Sequence, residues 1–143
     1  DASVQPFMDD KSVQVVNLMA PLSNAEEHDD KNEPKVVMDR AGNALYFSRE
    51  AIPSRWKLGE GVPMHKQVCI IPYRRDFLLK FNELEPTPLE ISESIDMLRV
   101  LEHGFKVRMV PSPTPDTYSV DTPEDLVHVE ELMRHDSLVQ EYA

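Results

Sequence analysis

Glycine is scarce in this sequence. Only 4 of the 143 residues are glycine, whereas about 7% is the average in proteins. None of the four belongs to a G-x-G-x-x-G or G-x-x-x-x-G-K-[ST] arrangement, in which glycines let the main chain wrap around a phosphate group. The sequence therefore excludes these phosphate-binding loops from this chain.

Basic residues are also limited: 15 Lys and Arg residues stand against 26 Asp and Glu residues, and the net charge is −11. Because binding of a nucleic-acid backbone requires a basic surface, we expect no nucleic-acid partner. No apolar run approaches the ~20 residues of a membrane span. The N-terminus lacks the basic and apolar segments of a signal peptide. We therefore expect no membrane partner.

The sequence contains a single cysteine, Cys69. One cysteine excludes an internal disulfide and any metal site that needs several thiolate ligands, and it suits a reducing compartment. The sequence therefore predicts a cytoplasmic protein. Because Cys69 lies in the apolar run Val68–Ile71, away from charges that would activate a thiol, we expect it to be an inert core residue.

Short apolar segments alternate with amphipathic ones along the chain. We predict strands over Ser12–Leu22, Lys35–Arg40, Ala44–Arg49, Lys66–Tyr73 and Phe105–Val110. The second and third strands should form a hairpin, and the fourth should be covered on both faces. We predict helices over Arg74–Leu84, over Pro88–His103 and from Thr122 to about Arg134, and an acidic loop or loose helical turn over Ser23–Pro34. This alternation indicates an α/β or α+β protein with one domain.

The helix predicted over Pro88–His103 has the clearest start and stop signals. Thr87 is a suitable N-cap, Glu90 completes a capping box, and Gly104 can take the left-handed conformation that ends a helix. We expect an apolar stripe of this helix to pack in the core, formed by Ile91, Ile95, Leu98 and Leu101. The last helix repeats the cap-and-proline signal, and we expect its packing residues to be Leu126, Val129, Leu132 and Met133.

Asp121 is a candidate metal ligand, because it lies between a strand-like segment and the last helix. A carboxylate at the carboxyl end of a strand can hold a divalent cation in open α/β sheets. From position alone, stabilisation of the following helix N-terminus is the favoured alternative. Glu90 and Glu93 could accept hydrogen bonds from sugar hydroxyls or could simply be solvated. Arg49 could bind an anionic group with its planar set of donors or could be a surface charge.

The last helix also carries a weaker metal signal. His128, Glu131 and His135 share one helical face, which makes a metal site geometrically possible. Such polar faces are more often exposed to solvent, and solvent exposure is the favoured interpretation here.

Three segments resemble the C-terminal half of the CMP-Kdo synthetases (3-deoxy-manno-octulosonate cytidylyltransferases) and of related enzymes that activate acidic sugars. The three segments are KVVMDRAGNALYFSREAIP (Lys35–Pro53), PLEISESIDMLRVLEHGFKV (Pro88–Val107) and VDTPEDL (Val120–Leu126). They occur in the family's order. The resemblance implies the C-terminal portion of a Rossmann-like nucleotide-diphospho-sugar transferase fold, an α/β structure with a mixed sheet, flanking helices and a hairpin.

The resemblance also implies an activity and a set of site residues. The reaction would transfer CMP from CTP to an acidic sugar, release pyrophosphate and require Mg²⁺. Residue by residue, Asp121 corresponds to a metal ligand, Arg49 to a partner of the sugar carboxylate, and Glu93 to an acceptor of sugar hydroxyls. We also expect Gln67, Tyr73 and Glu90 in the substrate-binding site.

Two departures from the family pattern affect these expectations. Gln67 and Ile71 stand where the family usually has His and Tyr, so the sugar could differ, for example a sialic-acid-like sugar. The family's N-terminal half, with its nucleotide loop and Gly-Asp-Glu-Pro metal segment, has no counterpart in this sequence. We therefore expect residues 1–143 to be a sugar-binding and dimerisation half that is inactive alone. It would form a homodimer or pair with the missing half. The alternative is a non-catalytic binding or dimerisation module.

Overall fold

The computed structural model of the chain describes residues 2–22, 24–57, 63–114, 118–120, 122–136 and 139. Eleven helices and strands lie in these described ranges. In chain order they are α1 (Gln5–Asp9), β1 (Val16–Pro21), α2 (Ala25–Asp29), β2 (Lys35–Met38), β3 (Ala44–Ser48), β4 (His65–Val68), α3 (Arg75–Phe81), α4 (Pro88–Glu93), α5 (Met97–Glu102), β5 (Arg108–Pro111) and α6 (Pro123–Met133). All five predicted strands are confirmed and each is shorter than predicted, although β4 begins one residue earlier and β5 ends one residue later than the predicted bounds.

The five strands form one mixed sheet in the order β3-β2-β4-β1-β5. Strands β1 and β5 are parallel, while the pairs β1–β4, β4–β2 and β2–β3 are antiparallel. The helices flank this sheet, so the predicted α/β class with a mixed sheet is confirmed. The predicted hairpin is β2–β3, and its turn places Gly42 at a φ of 78°, a conformation that glycine adopts without strain.

The main core lies where the sheet meets α3 and α5. The phenylalanines Phe47, Phe77 and Phe81 fill it from β3 and α3, because an apolar residue every third or fourth position gives a helix one buried face. Helix α5 contributes further fully buried side chains, namely Met97, Leu98 and Val100. This packing fixes α4 and α5 next to β3.

The single helix predicted over Pro88–His103 is wrong in its centre. The chain forms two helices, α4 and α5, separated by residues 94–96, of which Ser94 has a left-handed backbone with φ 54° and ψ 48°. At this break the Arg49 guanidinium donates to the carbonyl oxygens of Glu93 and Ser94. Of the predicted apolar stripe, Ile95 and Leu98 are buried, whereas Ile91 is 70% exposed.

The expectation of a buried Cys69 is also wrong, because this residue is exposed. Strand β4 ends at Val68, where the Ile70 amide donates to the Val68 carbonyl over 2.7 Å and bends the chain. The bend takes Cys69 and Ile70 out of the regular strand, and Ile70 is 53% exposed. The fourth predicted strand is therefore shorter than its apolar run. Within β4 the consecutive residues Lys66, Gln67 and Val68 are all buried, so the strand that does form is covered on both faces as predicted.

Helix α6 begins as predicted, with the Thr122 side chain accepting from the Asp125 amide and Asp125 reaching back to the Thr122 amide. Its predicted packing is wrong for Leu126, Leu132 and Met133, which are 40–50% exposed because the described residues do not cover this face. Within the described ranges, no helix is both long and apolar enough to cross a membrane.

Candidate functional site

The first group of predicted site residues is centred on Glu93 at the end of α4. Alternate residues of a strand share a face, so Tyr46 and Ser48 of β3 point the same way. The Tyr46 hydroxyl and the Ser48 hydroxyl both donate to Glu93 Oε1, over 3.1 and 3.0 Å. The Arg49 amide donates to Glu93 Oε2 over 2.8 Å. The carboxylate therefore links the end of α4 to the end of β3.

These contacts favour the ionised form of Glu93. Burial by itself raises the pKa of this carboxyl, but the hydrogen bonds from the Arg49 amide and from the Ser48 and Tyr46 hydroxyls outweigh it and leave the pKa below its ordinary value of 4.5. Burial together with the bond to Glu93 raises the pKa of Tyr46, so its hydroxyl remains a donor. The site thus holds a fixed negative charge.

The Arg49 side chain is used mainly to hold main-chain carbonyls. Its Nε donates to the Glu93 carbonyl over 2.7 Å, Nη1 to the Lys31 carbonyl over 2.9 Å, and Nη2 to the Ser94 carbonyl over 3.3 Å. A guanidinium has five N–H donors. One N–H on each terminal nitrogen of Arg49 therefore remains without an acceptor among the described residues, and the bonds of both terminal nitrogens lie on the exposed side.

A buried lysine binds the main-chain carbonyl of Arg49. Lys35 is fully buried, and its Nζ donates to the Arg49 carbonyl over 2.7 Å and to the Asp30 carbonyl. Burial lowers the pKa of Lys35 because removal from water disfavours an ammonium, although carboxylates nearby oppose this effect. The main-chain N–H of Arg49 binds Glu93 and its carbonyl binds Lys35, so both polar groups of this residue's main chain are fixed.

Glu90 lies on the preceding turn of α4 but has different partners. It forms an ion pair with Arg99 of α5, in which the side chains are only 12% and 19% exposed, and it accepts from the Thr87 amide over 3.2 Å. The hydrogen bond from Arg99 lowers the pKa of Glu90 more than burial raises it. Glu90 therefore has the capping role predicted for it and a cation of its own.

Tyr73 borders the Glu90–Arg99 pair through aromatic side chains. Its ring packs at 5.8 Å from that of Phe81, and the Arg99 guanidinium lies 4.9 Å above the same Phe81 ring. The hydroxyl contacts Met97 Sδ at 3.9 Å, and burial raises the pKa of Tyr73 well above its usual range. Tyr73 and Glu90 thus belong to one neighbourhood, distinct from that of Glu93.

Gln67 is buried within the sheet on β4 and does not contact the Glu93 group. Its Nε2 donates to Asn17 Oδ1 over 2.6 Å, and Asn17 Nδ2 in turn donates to the Leu18 and Val68 carbonyls over 2.8 and 2.7 Å. The pair connects the neighbouring strands β1 and β4. The structure thus brings together Arg49 with Glu93, and Tyr73 with Glu90, and places Gln67 apart from both pairs.

The predicted metal ligand, Asp121, lies outside the described residues. Within the described ranges, no group of three or more His, Cys, Asp or Glu side chains could hold a metal ion. His128, Glu131 and His135, predicted to share one helical face, therefore do not form such a group. The expectation of Mg²⁺ therefore depends on Asp121 and stays a prediction.

The sequence interpretation missed three residues of the Glu93 group: Lys35, Tyr46 and Ser48. Tyr46 and Ser48 carried a signal, since they are polar-tipped residues on one face of a predicted strand next to Arg49. Lys35 also carried one, because it opens an apolar strand where a charge is unusual. These signals identify a polar strand end but not the residue it contacts.

Comparisons with known proteins concern the family and the fold of the chain. A family model described as cytidylyltransferase matches residues 1–109. The 3-deoxy-manno-octulosonate cytidylyltransferase of Synechococcus elongatus is 40% identical over 125 residues, which are 87% of this chain and 51% of that protein. The enzyme of the same name from Syntrophotalea carbinolica is 39% identical over 142 residues, which are 94% of this chain and 56% of that protein.

A solved structure of an enzyme with a related name has a similar fold. The structure of a CMP:2-keto-3-deoxy-manno-octonic acid synthetase complexed with CTP superposes with a TM-score of 0.81 and 34% identity, over 92% of this chain and 53% of that one. The chain spans about half the length of the curated relatives it matches.

Proposed function

This chain belongs to the cytidylyltransferase family, and we propose that it is the sugar-binding half of an enzyme that transfers CMP from CTP to an acidic sugar. The sugar is 3-deoxy-manno-octulosonate or a similar acid, activated for bacterial lipopolysaccharide or surface-polysaccharide synthesis. The observation that carries the proposal is the close structural similarity to a synthetase of this kind complexed with CTP. CTP is a cytoplasmic nucleotide, which supports a cytoplasmic location.

The proposed reaction is an in-line displacement at phosphorus. The anomeric hydroxyl oxygen of the sugar forms a bond to the α-phosphorus of CTP, loses its proton, and the bond to the β-phosphate breaks to release pyrophosphate. Positioning of the two substrates supplies much of the rate enhancement in such reactions. In this proposal Mg²⁺ would neutralise phosphate charge, with Asp121 as one of its ligands.

The role proposed for Arg49 is recognition of the sugar acid. A carboxylate can accept from both terminal nitrogens of a guanidinium, and one N–H on each terminal nitrogen of Arg49 has no acceptor among the described residues. Glu93 lies beside Arg49, where its acceptor oxygens could also meet a sugar hydroxyl. The roles of Gln67, Tyr73 and Glu90 in substrate binding remain predictions.

We propose that residues 1–143 also form an assembly surface, either between two copies or with a nucleotide-binding half. The exposed apolar residues of α6 support this proposal, since Leu126, Val127 and Met133 are 48–65% exposed. Size-exclusion chromatography with light scattering distinguishes a monomer from a dimer of the complete gene product.

A pyrophosphate-release assay tests the proposed activity. It uses CTP, Mg²⁺ and a panel of acidic sugars that includes 3-deoxy-manno-octulosonate and a sialic acid. The chain is assayed alone and together with whatever coding sequence lies directly upstream. We expect turnover only with the upstream sequence, and the panel identifies the sugar. If neither form releases pyrophosphate, a non-catalytic binding module becomes the better description.

The role of Asp121 has a separate test in the active form. Asp121→Asn should lower turnover by a factor on the order of 10³ or more, because a neutral amide is a poor Mg²⁺ ligand, while the thermal midpoint changes little. Asp136→Asn, near the other end of the same helical segment, is the matched control and should retain activity. Comparable turnover of the Asp121→Asn variant and the wild type would return Asp121 to helix capping.

A further inference from the structure

Arg49, which directly follows β3, is held at its amide, its carbonyl and its guanidinium by contacts with other segments of the chain. Its amide is held by Glu93, its carbonyl by Lys35, and its guanidinium lies against the carbonyls of Lys31, Glu93 and Ser94. A long, flexible side chain normally loses conformational entropy when it binds a ligand. Here that entropy is already lost in the folded protein.

Two features of the structure around Arg49, considered alone, lower the stability of the folded protein. Lys35 is a fully buried ammonium whose described partners are carbonyl oxygens rather than a carboxylate, and burial of such a charge has a cost. Ser94 has the left-handed backbone that side chains other than glycine rarely adopt. Both features are located at Arg49: Lys35 binds its carbonyl, and the carbonyl of Ser94 accepts from its Nη2.

The charges around Arg49 also leave its cation open to an external anion. The Glu93 carboxylate is occupied by neutral donors, two hydroxyls and one amide, and does not form a direct ion pair with the guanidinium. The nearest acidic side chain along the chain, Glu50, pairs with Lys31 over 2.8 Å instead. The guanidinium therefore has carbonyl partners on its inner side and two N–H groups that no described acceptor uses.

We propose that Glu93 and Lys35 are positioning residues for acid recognition: they lock the main chain of Arg49 so that the guanidinium presents two N–H groups to the carboxylate of the sugar. This inference rests on the proposed function, because it takes the sugar acid as the ligand of Arg49. It assigns Glu93 and Lys35 an effect on sugar affinity that acts through Arg49, without contact to the reacting phosphorus.

The test uses the complete gene product that contains this chain, with the variants Glu93→Gln and Lys35→Met. The side chain introduced by Glu93→Gln would be unable to accept from both the hydroxyls and the Arg49 amide, because one end of the amide group is itself a donor. The matched controls are Glu102→Gln, whose carboxylate accepts the Leu89 amide over 3.0 Å, and Lys66→Met, which removes the buried lysine paired in register with Lys35. Neither control residue contacts Arg49 in the structure.

The first readout is kinetic and compares two sugars, the acid and the same sugar with its carboxylate converted to an amide. In each of the two variants, KM for the acid should rise about tenfold, which equals about 1.4 kcal/mol, while kcat and KM for CTP change by less than about threefold. The preference for the acid over the amide should fall by about the same factor. A general loss of folding would lower the use of both sugars and of CTP equally.

The second readout does not need turnover. Amide hydrogen exchange of Arg49, measured relative to the amide of Phe47 two residues earlier in β3, should accelerate in Glu93→Gln and not in the two controls. The double variant Arg49→Met/Glu93→Gln should lose no more sugar affinity than Arg49→Met alone, since residues that act as a unit are not additive.

Three results would overturn the inference. KM could rise equally for the acid and the amide, Glu93→Gln could lower kcat at unchanged KM, or the two substitutions could be additive. Each result would mean that Glu93 does not act through Arg49. If the wild-type protein uses none of the acidic sugars, the proposed function fails and the inference fails with it. If the wild type is active and the variants behave like the controls, only the inference fails.

Discussion

Glu90 and Glu93 lie one helical turn apart on α4, yet they belong to different kinds of site. Glu90 is paired with a cation on the adjacent helix and caps its own helix, so its partners are at most nine residues away in the sequence. Glu93 binds neutral donors in β3 and directly after it, which are 44–47 residues away. The difference shows that one carboxylate completes a local structure while the other joins two distant segments.

The two neighbourhoods also differ in the state of their arginines. The Arg99 guanidinium is neutralised by Glu90 and covered by the Phe81 ring. The Arg49 guanidinium lies among carbonyls and retains two N–H groups that no described residue accepts. We infer that the first arginine stabilises the fold, whereas the second is available to a ligand. The following predictions test this contrast, beginning with the largest effect.

Removal of the two arginines should affect stability very differently. Arg99→Met leaves the Glu90 carboxylate largely buried without its cation and should lower the free energy of unfolding by about 3 kcal/mol. Arg49→Met should lower it by about 1 kcal/mol, because water can reach the carbonyls at the exposed terminal nitrogens. Urea unfolding monitored by circular dichroism measures both values.

Arg99→Lys provides the control for charge. A lysine retains the cation but not the two-point contact, so it should restore part of the stability lost in Arg99→Met. Equal destabilisation by Arg49→Met and Arg99→Met would contradict the distinction between the two neighbourhoods.

A substitution at the break between α4 and α5 should have a smaller effect on the free energy of unfolding. Ser94→Val places a β-branched side chain in the left-handed conformation and should lower the free energy of unfolding by about 1–2 kcal/mol. Ser92→Val, an exposed residue of regular helical conformation in α4, is the matched control and should change it by less than about 0.5 kcal/mol. Chemical denaturation of the two variants measures the difference, and equal losses would show that the break at Ser94 is not strained.

The pH dependence of stability should give the smallest difference. Both carboxyls have a folded pKa below the ordinary 4.5, so their contribution is fully present above pH 4.5 and is lost as the pH falls through the folded pKa. Glu90→Gln and Glu93→Gln should each reduce the slope of unfolding free energy in this acidic range. Arg99→Met should reduce only the contribution of Glu90 to this slope. Denaturation at several pH values checks this, and an unchanged slope in Arg99→Met would contradict it.

Local sequence signals predicted much of the fold correctly. The cap at Thr87, the turn at Gly42, the helix end at Gly104 and the start of α6 all depend on contacts within a few residues. Such contacts can be read from a short window of sequence. The residues at the candidate site were identified by resemblance, and of these the structure brings Arg49 and Glu93 into direct contact.

The incorrect predictions share a different origin. The helix over Pro88–His103 has unbroken helical periodicity, and the carbonyls at its break bind an arginine of another segment. The apolar run at Cys69 has the pattern of a buried strand, but the described residues leave it exposed. The apolar face of α6 is likewise predicted to be packed and is exposed. A pattern shows that a surface is apolar but not what covers it.

The sequence by itself determined the α/β class, the caps and turns, and the family, because each depends on local interactions or on the order of recognisable segments along the chain. Only the tertiary structure decided that α4 ends at Ser94, that a buried Lys35 holds the Arg49 carbonyl, and that Glu93 binds β3. These contacts join residues that are far apart in sequence. Their partners are specified only when β2, β3 and α4 have packed together, which no short window of sequence contains.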